Sequence, residues 1–185
     1  MKIDVTLNMN PDMVKKDQQT GKAELTGHLG THFDVMNKVF PLDYTCRAAV
    51  VFDVSSVGER EISLEDVDIS RVEPDMFVAF YTGFIEAAGY GTCRYQKEHP
   101  QLTQALIKAL VERGVSIIGI DFAGVRRGKE HTPMDQYCAD NGVFVVENLC
   151  NLKAVLACTD TPVMHTYPMS FSGVSGLPCR VMAEV

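Results

Sequence analysis

The sequence predicts a mixed, layered α/β domain, and three observations lead to that fold class. First, 185 residues with 46% hydrophobic content can bury one core of ordinary size. Second, segments rich in β-branched and aromatic residues, the composition of strands, outnumber the helical segments. Third, strands and helices do not alternate regularly, which argues against a doubly wound parallel sheet. We therefore predict a single domain over residues 1–185.

The predicted strands are short apolar segments bounded by glycine, proline or polar residues. They cover residues 3–7, 49–54, 76–82, 115–122, 143–147, 163–167 and 180–183. One helix is predicted over residues 102–110, where apolar side chains recur at the i, i+3, i+4 spacing and Gly114 provides a stop. The polar residues 10–24 are expected to form a loop.

A second helix is predicted to start at Thr132. Pro133 would then occupy the first helical position, and Asp135, three residues after the cap, would return a hydrogen bond to the Thr132 backbone. The helix would end near Gly142. A shorter start of the same kind is predicted over residues 63–66. Under this prediction, Asp135 has a structural role.

Charge and composition restrict the partners of this protein. The formal net charge is −7 and the pI is near 5.2, which argues against nucleic acid and anionic membranes and fits a small-molecule ligand. No apolar run approaches the roughly 18 residues of a membrane span, and Asp4 interrupts the segment that a signal peptide would need. We expect a cytoplasmic protein. Its six cysteines include no C-x-x-C pair, so a cysteine zinc site is not expected.

Residues 27–34, with the sequence Gly-His-Leu-Gly-Thr-His-Phe-Asp, concentrate groups that bind metal ions. His28 and His32 are four residues apart, and Asp34 follows two residues later. Imidazole and carboxylate groups are ligands that zinc and manganese prefer. A flat strand would separate the two histidines by roughly 13 Å, whereas a strand end bent at Gly30 would bring all three side chains to one face. The spacing predicts a metal site, with a chance pair of histidines as the alternative.

Further candidates lie where apolar strands end. Glu147 follows a run of apolar residues, and a carboxylate there needs water, a cation or a metal. Asp121 closes another predicted strand in the same way, and strand ends are where sites assemble in layered α/β domains. The alternative for both is a strand end that reaches solvent. His131 is either a loop residue or a site residue, and His99 is expected to be a surface or core histidine.

Residues 28–34 resemble the signature H-x-G-T-H-x-D-x-P-x-H of the cyclase family, the kynurenine-formamidase-like metal-dependent hydrolases. Further stretches match the family in order: residues 3–6, 81–84, 119–121, 146–149, 151–152 and 176–181. The resemblance implies a mixed three-layer β/β/α swivelling domain that assembles as a homodimer or higher homo-oligomer, with active sites near the subunit interface. It also implies hydrolysis of small amides such as N-formylkynurenine, a step of tryptophan catabolism, or of the lactam isatin, with zinc or manganese.

The resemblance assigns metal ligands position by position. His28, His32 and Asp34 match the ligands of the family's first metal ion, and Asp34 could bridge to a second ion. Glu147 matches the family's downstream glutamate ligand. The resemblance therefore implies that an early segment and a distant acid bind the same metal centre.

The chain departs from the family signature at several positions. Met36 replaces the proline, and Lys38 stands where the last histidine, a proton shuttle, is expected. The family's remaining metal-binding histidine lies twelve residues before the glutamate, which is Asp135 in this chain. His131 lies one helical turn earlier and could substitute for it if the helix entry shifts. The second metal position is therefore altered relative to the family.

The leading hypothesis is a metal-dependent hydrolase of a small amide or lactam, resembling arylformamidase, in which Glu147 or Asp135 accepts the proton of the attacking water. Lys38 either lies beside Asp34 and supplies the charge of a second ion, or acts as the catalytic base with a depressed pKa. The alternative hypothesis is a non-catalytic binding or regulatory module that keeps the fold and one metal position. The enzyme would take a small-molecule amide substrate, and neither nucleic acid nor a membrane is expected as a partner.

Overall fold

The computed structural model describes residues 1–13 and 27–185. Their strands are β1 (Lys2–Asp4), β2 (His32–Asp34), β3 (Cys46–Asp53), β4 (Phe77–Tyr81), β5 (Ile117–Ile120), β6 (Phe144–Glu147), β7 (Val163–Pro168) and β8 (Gly176–Glu184). Their helices are α1 (Phe84–Ala88), α2 (Cys93–Glu98), α3 (Gln104–Glu112), α4 (His131–Asp140) and α5 (Leu152–Leu156). Every predicted strand overlaps one of these strands, whereas β2 and the short helices α1, α2 and α5 are additional. Most of the loop predicted over residues 10–24 lies outside the described residues, and its described residues 11–13 are helical, so the prediction is wrong there.

The strands form one sheet that closes on itself. The order is β1-β8-β2-β6-β5-β4-β3-β7, and β7 also pairs with β8. Two long strands make the closure possible because each changes its neighbour along its length. The first residues of β3 pair with β7 and the remaining ones with β4, while β8 pairs first with β2 and then with β7. Strands β3 to β6 run parallel, and β2 is antiparallel to β6.

Side chains alternate across the parallel strands and build two cores. One set, which includes Val50, Val78 and Ile118, packs against α3 and α4. The opposite set, which includes Val51 and Ala79, packs against side chains of β7 and β8. Helices, a larger sheet and a smaller sheet therefore form three successive layers. This arrangement confirms the predicted β/β/α architecture.

Helix α3 follows the prediction closely. Thr103 caps it by accepting a hydrogen bond from the Leu106 N–H at 3.2 Å, and Gly114, with φ +72°, lies just beyond its end. The capping box predicted at Ser63 is present, but it starts only a 3₁₀ turn, Leu64–Asp66. No helix among the described residues is both long and apolar enough to cross a bilayer.

Helix α4 begins at His131, so the predicted cap at Thr132 is wrong. A 3₁₀ turn over Gly128–Glu130 leads directly into the helix, and Glu130, the last residue of that turn, is the N-cap. Thr132 lies inside the first turn instead. The shift leaves Asp135 without a role as a capping partner, and its side chain is buried on the inner face of the helix.

Candidate metal centre

A turn at Gly30 brings His28 and His32 together, in the way that their spacing predicts. Gly30 has φ +63°, a left-handed conformation that glycine adopts without steric cost. His28 Nδ1 lies 3.1 Å from His32 Nε2, and the two rings meet edge to face. The other ring nitrogens are held as well: His28 Nε2 is 2.9 Å from Ser175 Oγ, and His32 Nδ1 is 2.8 Å from the Gly30 carbonyl oxygen.

Asp34 is buried beside both imidazoles. Its Oδ1 lies 2.9 Å from His28 Nδ1 and 3.6 Å from His32 Nε2. Burial alone would raise the pKa of Asp34, but hydrogen bonds and charge interactions with the two imidazoles hold it well below its usual range. Asp34 is therefore ionised at neutral pH, which is the state in which a carboxylate binds a cation.

Strand pairing places Glu147 against the same cluster. In the antiparallel pair of β2 and β6, Glu147 is directly opposite His32, and such residues are close neighbours. Glu147 Oε2 lies 3.6 Å from His32 Nε2. Only 4% of Glu147 is exposed, so the alternative of a strand end that reaches solvent is wrong.

Helix α4 contributes His131 and Asp135, which lie one turn apart. His131 Nε2 is 3.1 Å from Asp135 Oδ2 and 3.6 Å from Glu147 Oε1. Burial raises the pKa of Asp135 and of Glu147 well above their usual values, and the negative charge of Asp34 raises both further. Burial lowers the pKa of His131. Three carboxyl groups thus share one space with the imidazoles of His28, His32 and His131.

The buried carboxyl groups carry oxygens that lack a partner. Asp34 Oδ2, Asp135 Oδ1 and Glu147 Oε1 make no hydrogen bond within the described residues, and none of these groups pairs there with a lysine or arginine. Because an unpaired buried charge is costly, the centre has the composition of a cation site. Two overlapping sets have donor atoms within 4.8 Å of one another: the first donor group is His28, His32 and Asp34, and the second donor group is Asp34, His131 and Asp135. Imidazole nitrogens and carboxylate oxygens fit zinc or manganese.

The metal centre lies in the wall of a cavity of about 620 Å³. Tyr90, Tyr95 and Met36 contribute apolar surface to the cavity, and Gln96 and Thr132 contribute polar groups. A mostly apolar cavity of this size with a few polar groups is typical of a small-molecule site. The arrangement can therefore hold a small ligand against the candidate metal-binding residues.

Sequence reasoning misses two residues beside the metal centre, Asn148 and Tyr95. Asn148 Nδ2 donates a hydrogen bond to the Gly30 carbonyl oxygen at 2.7 Å, and the Tyr95 hydroxyl donates one to Asn148 Oδ1 at 2.6 Å. Burial, followed by the negative charge of Glu147, raises the pKa of Tyr95, so its hydroxyl keeps its proton. Because Asn148 directly follows Glu147, the sequence could have identified it as a candidate site residue. Tyr95 gives none, because it reaches the site from 53 residues away.

Lys38 does not reach the metal centre, so the expectation that it lies beside Asp34 is wrong. Its ammonium lies 2.6 Å from Asp140 Oδ1, at the last residue of α4. Met36 has φ +56° and a turn from Val35 follows β2, which leads the chain to the surface. Lys38 lines a separate groove there and not the cavity.

Asp121 also lies apart from the metal centre. Its carboxylate accepts hydrogen bonds from the Thr82 N–H at 2.8 Å, the Thr82 hydroxyl at 2.6 Å and the Gly83 N–H at 2.7 Å. Burial raises the pKa of Asp121 to about 7. The residue therefore stabilises the turn that leads into α1. His99 is buried in the core, in agreement with one of its two expected placements.

Comparisons with known proteins agree with this geometry. The sequence model of a family described as putative cyclase matches residues 3–126. Among curated proteins, no relative matches the sequence. A solved structure described as a potential metal-dependent hydrolase with cyclase activity has a TM-score of 0.78 at 21% identity, and the match covers 99% of this chain and 96% of that chain.

Two further solved structures show the same similarity. Isatin hydrolase A from Labrenzia aggregata, bound to benzyl benzoate, has a TM-score of 0.78 at 20% identity over 99% of this chain and 93% of that chain. A predicted metal-dependent hydrolase from Bacillus stearothermophilus has a TM-score of 0.77 at 21% identity over 99% and 97% of the two chains. These structures establish the fold, and the sequence match includes the histidine segment 28–34. The chain belongs to the putative cyclase family.

Proposed function

We propose that this protein is a metal-dependent hydrolase of a small amide or lactam. The observation that supports it most is the convergence of His28, His32, Asp34 and Glu147 on one wall of the cavity, where buried carboxylate oxygens lack partners within the described residues. Proteins with a similar fold are named as metal-dependent hydrolases and as an isatin hydrolase. The family resemblance favours an arylformamidase-like reaction, the conversion of N-formylkynurenine to kynurenine and formate.

The metal-binding residues divide into two positions for zinc or manganese. The first donor group would hold one ion, and the second donor group would hold another with Asp34 between them. Glu147 faces both positions, because its Oε2 lies near His32 and its Oε1 near His131. Lys38 lies elsewhere, so its ammonium does not replace the charge of a second ion. A bound divalent cation supplies Lewis acidity, which polarises an amide carbonyl and makes water more acidic.

We assign to Glu147 the role of accepting the proton of the attacking water. One of its oxygens, Oε2, faces His32, while Oε1 has no hydrogen-bond partner among the described residues. Asp135 Oδ1 is a second acceptor in the same space without a hydrogen-bond partner in the described part of the chain. A general base has to reach the water that it activates, and both oxygens belong to residues that line the cavity.

Hydrolysis assays test the proposed enzyme. N-formylkynurenine, isatin and related cyclic amides are incubated with the protein and added Zn²⁺ or Mn²⁺, and product formation is followed by absorbance. We expect turnover that EDTA removes and that His32→Ala abolishes. Tyr44→Phe, which removes a hydroxyl that donates to the Gly142 carbonyl away from the cavity, should keep full activity. Failure of metal-loaded protein to turn over any of these amides would contradict the proposal.

One observation favours a second candidate function, a non-catalytic binding or regulatory module. The last position of the family signature is Lys38, and its ammonium pairs with Asp140 outside the cavity. The family's proton-shuttle position therefore contributes no group to the cavity. A module would bind the ion and an amide ligand without turnover. If calorimetry shows that metal-loaded protein binds isatin, and the hydrolysis assays show no turnover, the results would support the module over the enzyme.

We also propose that the chain assembles as a homodimer or higher homo-oligomer. Val39 is 88% exposed, Leu42 81% and Met169 51%, and all three line one groove. This groove meets the cavity at Met36 and Ser175. Exposed apolar side chains in one patch are typical of an interaction surface. We expect light scattering to show an oligomer that the double substitution Val39→Asp and Leu42→Asp dissociates; a monomeric wild-type protein would contradict this.

A further inference from the structure

We propose that Asn148 and Tyr95 are positioning residues for His32: they hold the acceptor of its Nδ1–H group and so orient the ring with Nε2 toward Asp34 and Glu147. The inference rests on the proposed metal-binding function, because it concerns how a ligand is prepared for an ion. Both residues act through the carbonyl group of Gly30. Metal-binding histidines in general depend on the hydrogen bond of their second ring nitrogen, which fixes tautomer and orientation.

The Gly30 carbonyl oxygen is where the hydrogen bonds meet. It accepts one hydrogen bond from Asn148 Nδ2 at 2.7 Å and another from His32 Nδ1 at 2.8 Å. Because a carbonyl oxygen only accepts, His32 Nδ1 carries the proton of the neutral ring. His32 Nε2 is then left with its lone pair, 3.6 Å from Asp34 Oδ1 and 3.6 Å from Glu147 Oε2.

Tyr95 determines which way the Asn148 amide points. The Tyr95 hydroxyl donates to Asn148 Oδ1 at 2.6 Å, so the amide nitrogen is the atom that faces Gly30. A reversed amide would place two acceptor oxygens against each other and offer His32 Nδ1 a second acceptor. Tyr95, Asn148 and His32 are each at most 3% exposed, so water does not compete for these hydrogen bonds.

The backbone of Asn148 is adapted to this arrangement. Its φ is +61°, a conformation that few residues other than glycine adopt and that asparagine tolerates. In an extended strand, successive side chains point to opposite faces, whereas here Glu147 and Asn148 both line the cavity. The Thr31 hydroxyl donates to the Asn148 carbonyl oxygen at 2.8 Å and holds this conformation.

Tyr90 holds the same glycine from its amide side. The Gly30 N–H donates to the Tyr90 hydroxyl at 3.0 Å, while the Gly30 carbonyl is held by Asn148 and His32. Tyr90 and Tyr95 also line the cavity, and their rings lie 5.7 Å apart. The orientation of His32 is thereby linked to the segment that a ligand in the cavity would contact.

Zn²⁺ affinity, measured by competition with a chelator, is the first test. Tyr95→Phe removes the hydroxyl and keeps the ring, and we expect it to weaken Zn²⁺ binding by roughly 10–100-fold, the usual effect of losing an outer partner. Asn148→Asp, which puts an acceptor oxygen in place of the donor nitrogen, should weaken binding at least as much. Tyr44→Phe is the matched control, and its affinity should equal that of the wild type.

Nitrogen-15 NMR of the metal-free protein gives a readout that a purely structural role would not change. His32 should be the Nδ1-protonated tautomer in the wild type, and its Nδ1 resonance should move in Tyr95→Phe, where a reversed amide changes the partners of the Nδ1–H group. Wild-type Zn²⁺ affinity in Tyr95→Phe would overturn the inference, and so would a loss of affinity with an unchanged Nδ1 resonance. If Asn148→Asp does not fold, Tyr95→Phe decides alone. If the wild type binds no Zn²⁺, the proposed function fails, and the comparison of the His32 Nδ1 resonances still decides the positioning role.

Discussion

His32 and His99 are both buried histidines, yet their surroundings give them different chemistry. His32 is 3% exposed and His99 2%. In each ring, Nδ1 lies 2.8 Å from a backbone carbonyl oxygen, that of Gly30 or of Pro100. His32 Nε2 faces two carboxylates. The ring of His99 instead stacks on Phe122 with centroids 5.8 Å apart.

The difference shows that a local hydrogen bond selects the tautomer of a buried histidine, whereas its other neighbours decide its function. Burial lowers the pKa of His99 to about 4, so it stays neutral and serves as a core residue. His32 shares its space with the ionised Asp34 and with Glu147, and a bound cation would stabilise negative charge there. The oxygens beside His32 that have no hydrogen-bond partner in residues 1–13 and 27–185 therefore separate the candidate metal centre from a satisfied core.

The largest expected difference in Zn²⁺ affinity is between the variants His32→Asn and His99→Asn. At either position, asparagine can keep a donor near the place of Nδ1 while it removes the Nε2 edge. We expect His32→Asn to weaken Zn²⁺ binding by more than about 100-fold, because loss of a ligand exceeds the roughly 10–100-fold effect of an outer partner. His99→Asn should bind like the wild type. Chelator competition measures both affinities, and equal losses would show that the two histidines do not differ in this way.

Removal of the ion should lower the melting temperature. At an ion concentration of about 100 times Kd, binding stabilises the folded state by about 2.7 kcal/mol, which corresponds to about 5–10 °C for a chain of this length. Calorimetry with Zn²⁺ and with EDTA measures the difference. His99→Asn should show the same shift and His32→Asn should show none. If EDTA does not change the melting temperature of the wild type, the result would contradict tight binding of Zn²⁺.

Acidification should destabilise the metal-free protein through His99. Its pKa is lowered from 6.5 to about 4 in the folded state, so the unfolded chain takes up the proton first and stability falls as the pH drops below 6.5. Between pH 7 and pH 5 this contribution amounts to about 2 kcal/mol. Urea denaturation over this range should show a shallower pH dependence in His99→Asn. An unchanged slope would show that His99 does not titrate as its burial implies.

The smallest expected effect is that of Asp135→Asn on the free energy of unfolding. Its sign should depend on whether Zn²⁺ is bound. Without an ion, the neutral amide relieves repulsion among the buried carboxyl groups, and we expect stability to rise by about 1 kcal/mol. With Zn²⁺ the variant should be less stable than the wild type, because a ligand is lost. Urea denaturation in the two conditions measures both values.

Asp121→Asn is the control for this sign change. It removes a carboxylate that accepts hydrogen bonds from the backbone of Thr82 and Gly83, and it should destabilise the protein with and without Zn²⁺. If Asp135→Asn behaves in the same way, Asp135 does not belong to the metal centre.

The fold was largely predictable because its central strands carry a strong local signal. Strands β3 to β6 are runs of β-branched and aromatic residues, and the amphipathic pattern of α3 ends at a glycine. Strand β2 has only three residues, too few to show alternation. Helices α1, α2 and α5 have five or six residues, less than two turns, so periodicity does not reveal them.

The candidate metal centre was predictable only where its residues are close in sequence or end a strand. His28, His32 and Asp34 form one short segment, and Glu147 ends an apolar run. The start of α4 was misplaced by two residues, which turns a helix by about 200° and gave Asp135 a capping role. The position of Lys38 depends on a turn after β2, and no pattern in the sequence predicts this turn.

An anomalous difference map from crystals grown with Zn²⁺ tests the central claim most directly, because it locates the ion and its ligands together. We expect a peak within bonding distance of His28 Nδ1, His32 Nε2 and Asp34 Oδ1, on the wall of the cavity. A cavity without a peak, or zinc bound only at other residues of the chain, would contradict the proposed metal centre.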